Sequence, residues 1–152
     1  MLELKWTLGD EGLEDAYAIR KAVFIDEQGL TEEEEFDGTD AACAHLVIYE
    51  NNAPIATGRV MIGDDYKIGR VAVLKAHRGR QLGTGIMQAI IDACCTMGGE
   101  RQILHAQISA RGFYEKLGFT AYGEEFDEAG IPHIAMEHYG NIKCCAKRNP
   151  AT

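Results

Sequence analysis

The sequence predicts an α/β fold of the α+β type: a mixed, mostly antiparallel sheet of about seven strands flanked by three or four helices. Three observations predict it. Short apolar runs rich in Val and Ile recur along the 152 residues, separated by Asn-, Asp- and Gly-containing turns. Two later segments switch from alternating to helical apolar spacing. Strands follow one another across short turns instead of alternating singly with helices, which excludes a purely parallel doubly wound sheet. The element order is β-α-β-β-β-α-β-α-β-β.

Leu2 to Leu8 alternates apolar and polar residues, as an edge strand does. Asp10 is placed to cap a helix from about Glu11 to Val23, where Leu13, Ala16, Tyr17, Val23 and Phe24 keep helical spacing and Ile19 widens the face. Thr31 to Asp40 carries four consecutive glutamates and reads as an acidic, solvated loop. Ala44–Glu50 and Ile55–Ile62 form a hairpin around Asn51-Asn52. Tyr66–Leu74 is a third long strand. Ile86, Ala89, Ile90, Ala93 and Met97 mark a helix closed by Gly98-Gly99. Ile103–Gln107 is a short strand. Ser109 is placed to cap a helix from Ala110 to Leu117 that stops at Gly118. Phe119–Phe126 and Ile134–His138 make a closing hairpin. No repeat or linker divides the chain, so residues 1–140 are expected to be one domain and residues 141–152 a frayed tail.

The net charge of −9 argues against nucleic acid as a partner, since phosphate-backbone binding needs a cationic face. No apolar run approaches the ~20 residues needed to span a bilayer, and Met1 to Trp6 lacks the features of a signal peptide. No membrane association and a cytoplasmic location are expected. Of the five cysteines, Cys94-Cys95 and Cys144-Cys145 are adjacent pairs and Cys43 stands alone. That spacing suits reduced thiols, not a metal site.

The chain is organised around Arg70 to Gly85. A valine-rich strand runs through a basic, glycine-punctuated turn into a helix, which brings unpaired N–H groups and a positive dipole end to one point. Three phosphate ligands compete for such a point. A nucleotide-hydrolysing P-loop needs Lys and Ser/Thr after its last glycine, where this chain has Ile86-Met87. A dinucleotide fingerprint needs a different glycine spacing and a βαβ context.

The third reading is an acyl-CoA loop. Here the sequence resembles the GNAT acetyltransferases, whose motif is Gln/Arg-x-x-Gly-x-Gly/Ala. Arg80-Gln-Leu-Gly83-Thr-Gly85 satisfies it literally. With Val71-Ala-Val-Leu aligned to the family's strand, Arg78 begins the motif, Gln81 stands where its first glycine usually does and Gly83 keeps the second. We prefer this register. Gln107-Ile-Ser-Ala-Arg-Gly-Phe-Tyr-Glu-Lys-Leu-Gly-Phe119 is similar to the family's Asn-x-x-Ala-x-x-x-Tyr-x-Lys-x-Gly-Phe, with Gln107 replacing Asn. Arg20–Gln28 and Asp127–His133 resemble the ElaA/YjcF-like subgroup.

The resemblance implies direct acetyl transfer from acetyl-CoA, as co-substrate and without a metal, to a small-molecule or peptide amine. It implies cofactor contacts from Val71, Ala72 and Val73 to pantetheine, with the Val73 N–H aimed at the thioester oxygen. Arg78, Gly79, Arg80, Gln81, Leu82, Gly83 and Thr84 would face the pyrophosphate, and Gln107 and Tyr114 the rest of the cofactor. Tyr114 takes the general-acid position. Glu27 and His133 are the base or acceptor-site candidates; His titrates near neutrality, which suits a base. His45 and His105, on strands, read as structural, and Arg59 as a paired structural arginine. The alternative to an enzyme is an acyl-CoA-binding sensor or interaction module without catalysis. Pairing of two copies through the C-terminal strands is the alternative to burial of Ile134-Ala-Met136 in the core.

Overall fold

The computed structural model describes residues 1–139; the expected tail from Asn141, with Cys144 and Cys145, lies outside the described residues. Seven strands and four α-helices are present among them, and every strand pairing named below is antiparallel. The expected fold class is therefore borne out. The described residues divide into two compact units, Met1–Ile62 with Ile68–Ile90, and Gly63–Lys67 with residues 91–139.

The first unit begins with β1 (Leu2–Leu8), which pairs along its whole length with β2 (Cys43–Glu50). β2 returns as β3 (Ala53–Met61) through Asn51 and Asn52, whose φ angles are +52° and +69°. Two consecutive left-handed residues make the twist-matched hairpin turn that Asn tolerates. β4 (Tyr66–Val73) follows β3 in the strand order β1-β2-β3-β4. β2 and β3 are covered on both faces, which is why β2 reads as a continuous apolar run. On one face Ala16, Ile19, Val23 and Phe24 pack with Val47 and Ala72. On the other, Ile86 and Ile90 of α3 (Leu82–Thr96) press on β3 so closely that a Cβ at Gly58 would come within 2.6 Å of Ile86.

Two helices differ from expectation. Gly9 and Gly12 both take positive φ, +76° and +70°, so the chain is still turning after Asp10, and α1 (Glu14–Arg20) starts behind Leu13 without a side-chain cap. It then widens into a π-helical stretch, Lys21–Glu27. The acidic segment is the larger correction. Thr31 and Glu34 form a reciprocal capping box that starts a one-turn helix, α2 (Glu32–Glu35). Glu35 at its end is fully buried; a run of like charges has one member that faces inward because a cation waits there.

That cation is Arg20, itself 1% exposed. Its Nε donates to Glu35 at 2.7 Å and its Nη1 to Asp40 at 2.9 Å. Arg59 donates to the same Asp40 oxygen at 2.8 Å, so it is paired and structural, as expected. Arg70, at φ +51° inside β4, pairs with Glu35 at 2.9 Å and Asp37 at 3.3 Å. Three guanidinium groups and three carboxylates therefore neutralise one another. Burial raises the Glu35 carboxyl above the usual range, outweighing its arginine partners. At Asp40 burial pushes the same way, but the hydrogen bonds and charges of Arg20 and Arg59 hold the carboxyl low. His45, buried beside them, bonds through Nε2 to the Asp40 carbonyl at 3.1 Å and is structural.

In the second unit β5 (Arg101–Gln107) pairs with β7 (Ile131–Tyr139), which pairs with β6 (Thr120–Glu128). The β6–β7 turn uses Ala129 and Gly130 at φ +54° and +76°. Leu104, Ala106, Phe119, Ile134 and Met136 are buried, so Ile134 and Met136 belong to the core. The last turn of α3 closes with Gly98 at φ +82°, the Gly99 N–H reaching Cys94 O at 2.8 Å and the Gly98 N–H reaching Cys95 O at 3.0 Å. This is the left-handed glycine termination read from the sequence. α4 (Arg111–Lys116) ends in the same way at Gly118. Ser109 does not cap it: Ile108–Ala110 is a 3₁₀ turn and the N-cap is Ala110, without a side-chain bond.

Arg20→Met tests the charge cluster. It leaves Glu35 and Asp40 buried with less compensation and is expected to cost about 3–5 kcal/mol of unfolding free energy in a denaturant titration. Asp40, whose native pKa is depressed, contributes stability above the ordinary Asp value near ~pH 4. That contribution is lost as pH falls through the native value, so the acid limb of the stability profile should flatten in Arg20→Met.

Candidate active site

The cradle predicted from the sequence is built entirely within the first unit. β4 ends at Val73, Lys75–His77 make one 3₁₀ turn, and α3 begins at Leu82. The Gly85 N–H makes a helical bond to Gln81 O at 3.0 Å. Gln81 is therefore the N-cap, and the N–H groups of Leu82, Gly83 and Thr84 belong to the first turn, which has no earlier intrahelical carbonyl to bond. These are three of the residues the acyl-CoA reading names.

Gly79 has φ +82° and Gln81 φ +60°. Left-handed residues close together in a turn tilt successive N–H groups toward one point, a concavity that suits an anion. Gln81 departs from the motif in residue type. It stands at the motif's usual glycine and adopts the backbone conformation glycine favours. A Cβ added at Gly79 or Gly85 would meet nothing within 4 Å, so both glycines border open space. The residues present fit a diphosphate.

Both arginines of the loop are already paired. Arg78 forks onto Glu27 at 2.9 and 2.8 Å and donates its Nε to Val73 O at 3.0 Å. Arg80 donates to both Glu50 oxygens and contacts His77 Nδ1 at 2.9 Å. The structure thus brings Glu27, a base candidate, to Arg78, a cofactor candidate. Sequence spacing could not show this, because 51 positions separate them.

The other candidates belong to the second unit. Tyr114 lies on α4, edge-on to Phe113 and Phe119 at centroid distances of 5.0 and 6.0 Å. Burial pushes its hydroxyl up to about 12. Such a phenol stays protonated across the physiological range, which fits a proton donor and excludes a neutral-pH base. His133 is 7% exposed and sits opposite Gln107 in the β5–β7 register. Its Nδ1 donates to Ile131 O at 2.7 Å, its Nε2 is 3.6 Å from Glu128, and its ring stacks on Phe126. His105 shares Glu128, at 3.0 Å, and is paired as a structural histidine. Among the described residues no group of His, Cys, Asp or Glu could hold a metal ion, and no helix is long and apolar enough to cross a membrane.

The left-handed Gln81 makes a specific prediction. Gln81→Gly is expected to leave thermal stability unchanged or higher, because it relieves a strain of about 1–2 kcal/mol. Gln81→Val, β-branched, is expected to lower stability by at least ~1 kcal/mol and to weaken CoA binding; calorimetric melting and titration with CoA measure the two effects.

Residues 8–139 match the acetyltransferase (GNAT) domain family. The chain is 40% identical to the uncharacterised N-acetyltransferase YjcF of Bacillus subtilis over 129 residues, covering 84% of this chain and 92% of that protein. It is 33% identical to the protein ElaA of Escherichia coli over 125 residues, 78% of this chain and 81% of that one. The crystal structure of Escherichia coli ElaA superposes with a TM-score of 0.81 at 29% identity, covering 91% and 99% of the two chains. An acyl-CoA N-acyltransferase from Pseudomonas aeruginosa superposes with a TM-score of 0.80 at 27% identity, with the same coverage. With a family match over nearly all the described residues, the chain belongs to the GNAT acetyltransferase family.

Proposed function

We propose that this protein is an N-acetyltransferase that moves the acetyl group of acetyl-CoA directly to an amine of a small molecule or peptide, residues 1–140 working as one catalytic domain. The observation that carries the reading is the backbone of the Gly79–Thr84 turn: two left-handed residues followed by the first N–H groups of a fifteen-residue helix. Leu82, Gly83 and Thr84 would donate to the pyrophosphate, with Gly79 allowing close approach. Val71, Ala72 and Val73 would run beside the pantetheine, the Val73 N–H donating to the thioester oxygen as charge develops there.

In the transfer the amine nitrogen forms a bond to the acetyl carbon and the C–S bond breaks. One proton leaves the amine, and one is delivered to the sulfur. Tyr114, kept neutral by burial, is the donor to sulfur. Gln107 lines the cofactor side. Glu27 and His133 are the groups proposed to bind or deprotonate the amine. Glu27 is an exposed carboxylate whose present partner is Arg78, so a bound diphosphate drawing on Arg78 would leave Glu27 free for a cationic acceptor.

Thiol release from acetyl-CoA across a panel of polyamines, amino sugars and lysine peptides tests the reading. Turnover on at least one amine is expected. Tight CoA binding with no turnover on any amine would instead mark a binding module. Tyr114→Phe is expected to lower kcat by about 100-fold or more while the KM for acetyl-CoA stays within about threefold; a kcat within twofold of the parent removes Tyr114 from the acid role.

A further inference from the structure

The outer edge of β1 is unusual for an edge strand. Its seven residues pair with β2 in unbroken register, and the segment contains neither a proline nor a bulge to blunt the other side. The direction of its backbone groups can be read from its ends. The Met1 carbonyl accepts from the Asn51 N–H at 3.3 Å, and the Gly9 N–H donates to Cys43 O at 2.9 Å. Odd-numbered residues therefore face β2. In an antiparallel ladder the alternate residues face the other way, so Leu2, Leu4, Trp6 and Leu8 present their N–H and C=O groups outward.

The side chains of the same four residues share one face of the sheet. They stand opposite Glu50, Ile48, Leu46 and Ala44, so they extend the face that α3 covers at Gly58, which pairs with Leu46. Among the described residues that face is left largely open beyond α3: Leu2, Leu4, Trp6 and Leu8 are 45%, 50%, 41% and 76% exposed. Every residue with unpaired outward backbone groups is thus also a large exposed hydrophobe.

We infer that β1 pairs antiparallel with β1 of a second copy of this chain, about a two-fold axis through Leu4. The charge pattern selects this occupant. With Leu4 facing Leu4 of the second copy, Leu2 faces Trp6, and Glu3 faces Lys5 twice, once on each side of the axis. Leu2, Leu4 and Trp6 each gain an apolar cross-strand neighbour, and Glu3 and Lys5 each an opposite charge. Pairs Leu4–Leu4 and Leu2–Trp6 each exchange both backbone hydrogen bonds. The Lys5 ammonium now lies 4.9 Å from the Tyr49 ring centroid, on the sheet face that carries Glu3. The interface is isologous and closes, as a two-fold pair must.

Sedimentation velocity over a concentration series of the full chain tests this, with charge reversals at exposed positions that leave the β1–β2 ladder intact. Glu3→Lys sets lysine against Lys5 of the second copy, and Lys5→Glu sets glutamate against Glu3. Each is expected to weaken the dimer by about tenfold. The double variant Glu3→Lys/Lys5→Glu, and an equimolar mixture of the two single variants, restore opposite charges and are expected to return to within about threefold of the parent. A parent chain that stays monomeric at ~100 μM overturns the inference. So does a dimer insensitive to both single reversals, or one that neither combination restores. Circular dichroism of each variant separates loss of pairing from loss of fold.

Discussion

Arg20 lies where α1 gives way to a wider helix, and the side chain it sends inward is bonded by two carboxylates from a segment fifteen to twenty positions later. A buried guanidinium is costly without partners, and so are the carboxylates. Each therefore fixes the others: α2 and the turn through Asp40 cannot leave without stranding Arg20, and Arg59 of β3 shares the same Asp40 oxygen. The placement of α1 over β2 and β3 depends on this ionic cluster as much as on Ala16, Ile19 and Val23.

The cluster explains why the fold was legible in the sequence while its acidic segment was not. Strand positions follow from alternation and β-branching, and hairpins from Asn51-Asn52 and Gly130, because these are local signals with local causes. The helix ends at Gly98 and Gly118 were legible for the same reason. Glu35 differs from Glu32, Glu33 and Glu34 only in what lies beneath it, a long-range fact. The start of α1 is not legible because Asp10 looks like a cap, although Gly9 and Gly12 hold the chain in left-handed turns on either side of it.

The candidate site divides along the same line. The left-handed turn from Arg78 to Thr84 and the helix start behind it are legible in the sequence because they are backbone features, set by glycine spacing. The left-handed conformation of Gln81 has no signal in the residue itself. The fork between Arg78 and Glu27, and the setting of His133 against Glu128 and Phe126, depend on tertiary contacts with no sequence signature. Tyr114 is legible from its motif, and burial is the physical reason that a phenol there stays protonated.

Arg70 interrupts β4 with a left-handed residue directly before Val71. A non-glycine residue keeps that conformation, about 1–2 kcal/mol above the extended one, only while its surroundings over-determine it. Here the restraint is at the far end of the side chain, where Glu35, Asp37 and the carbonyls of Glu34 and Glu35 receive the guanidinium. The kink in the strand and the fold of the acidic segment therefore behave as one mechanical linkage: loosening α2 releases tension in the strand that carries Val71 to Val73, and straightening the strand withdraws the anchor of α2.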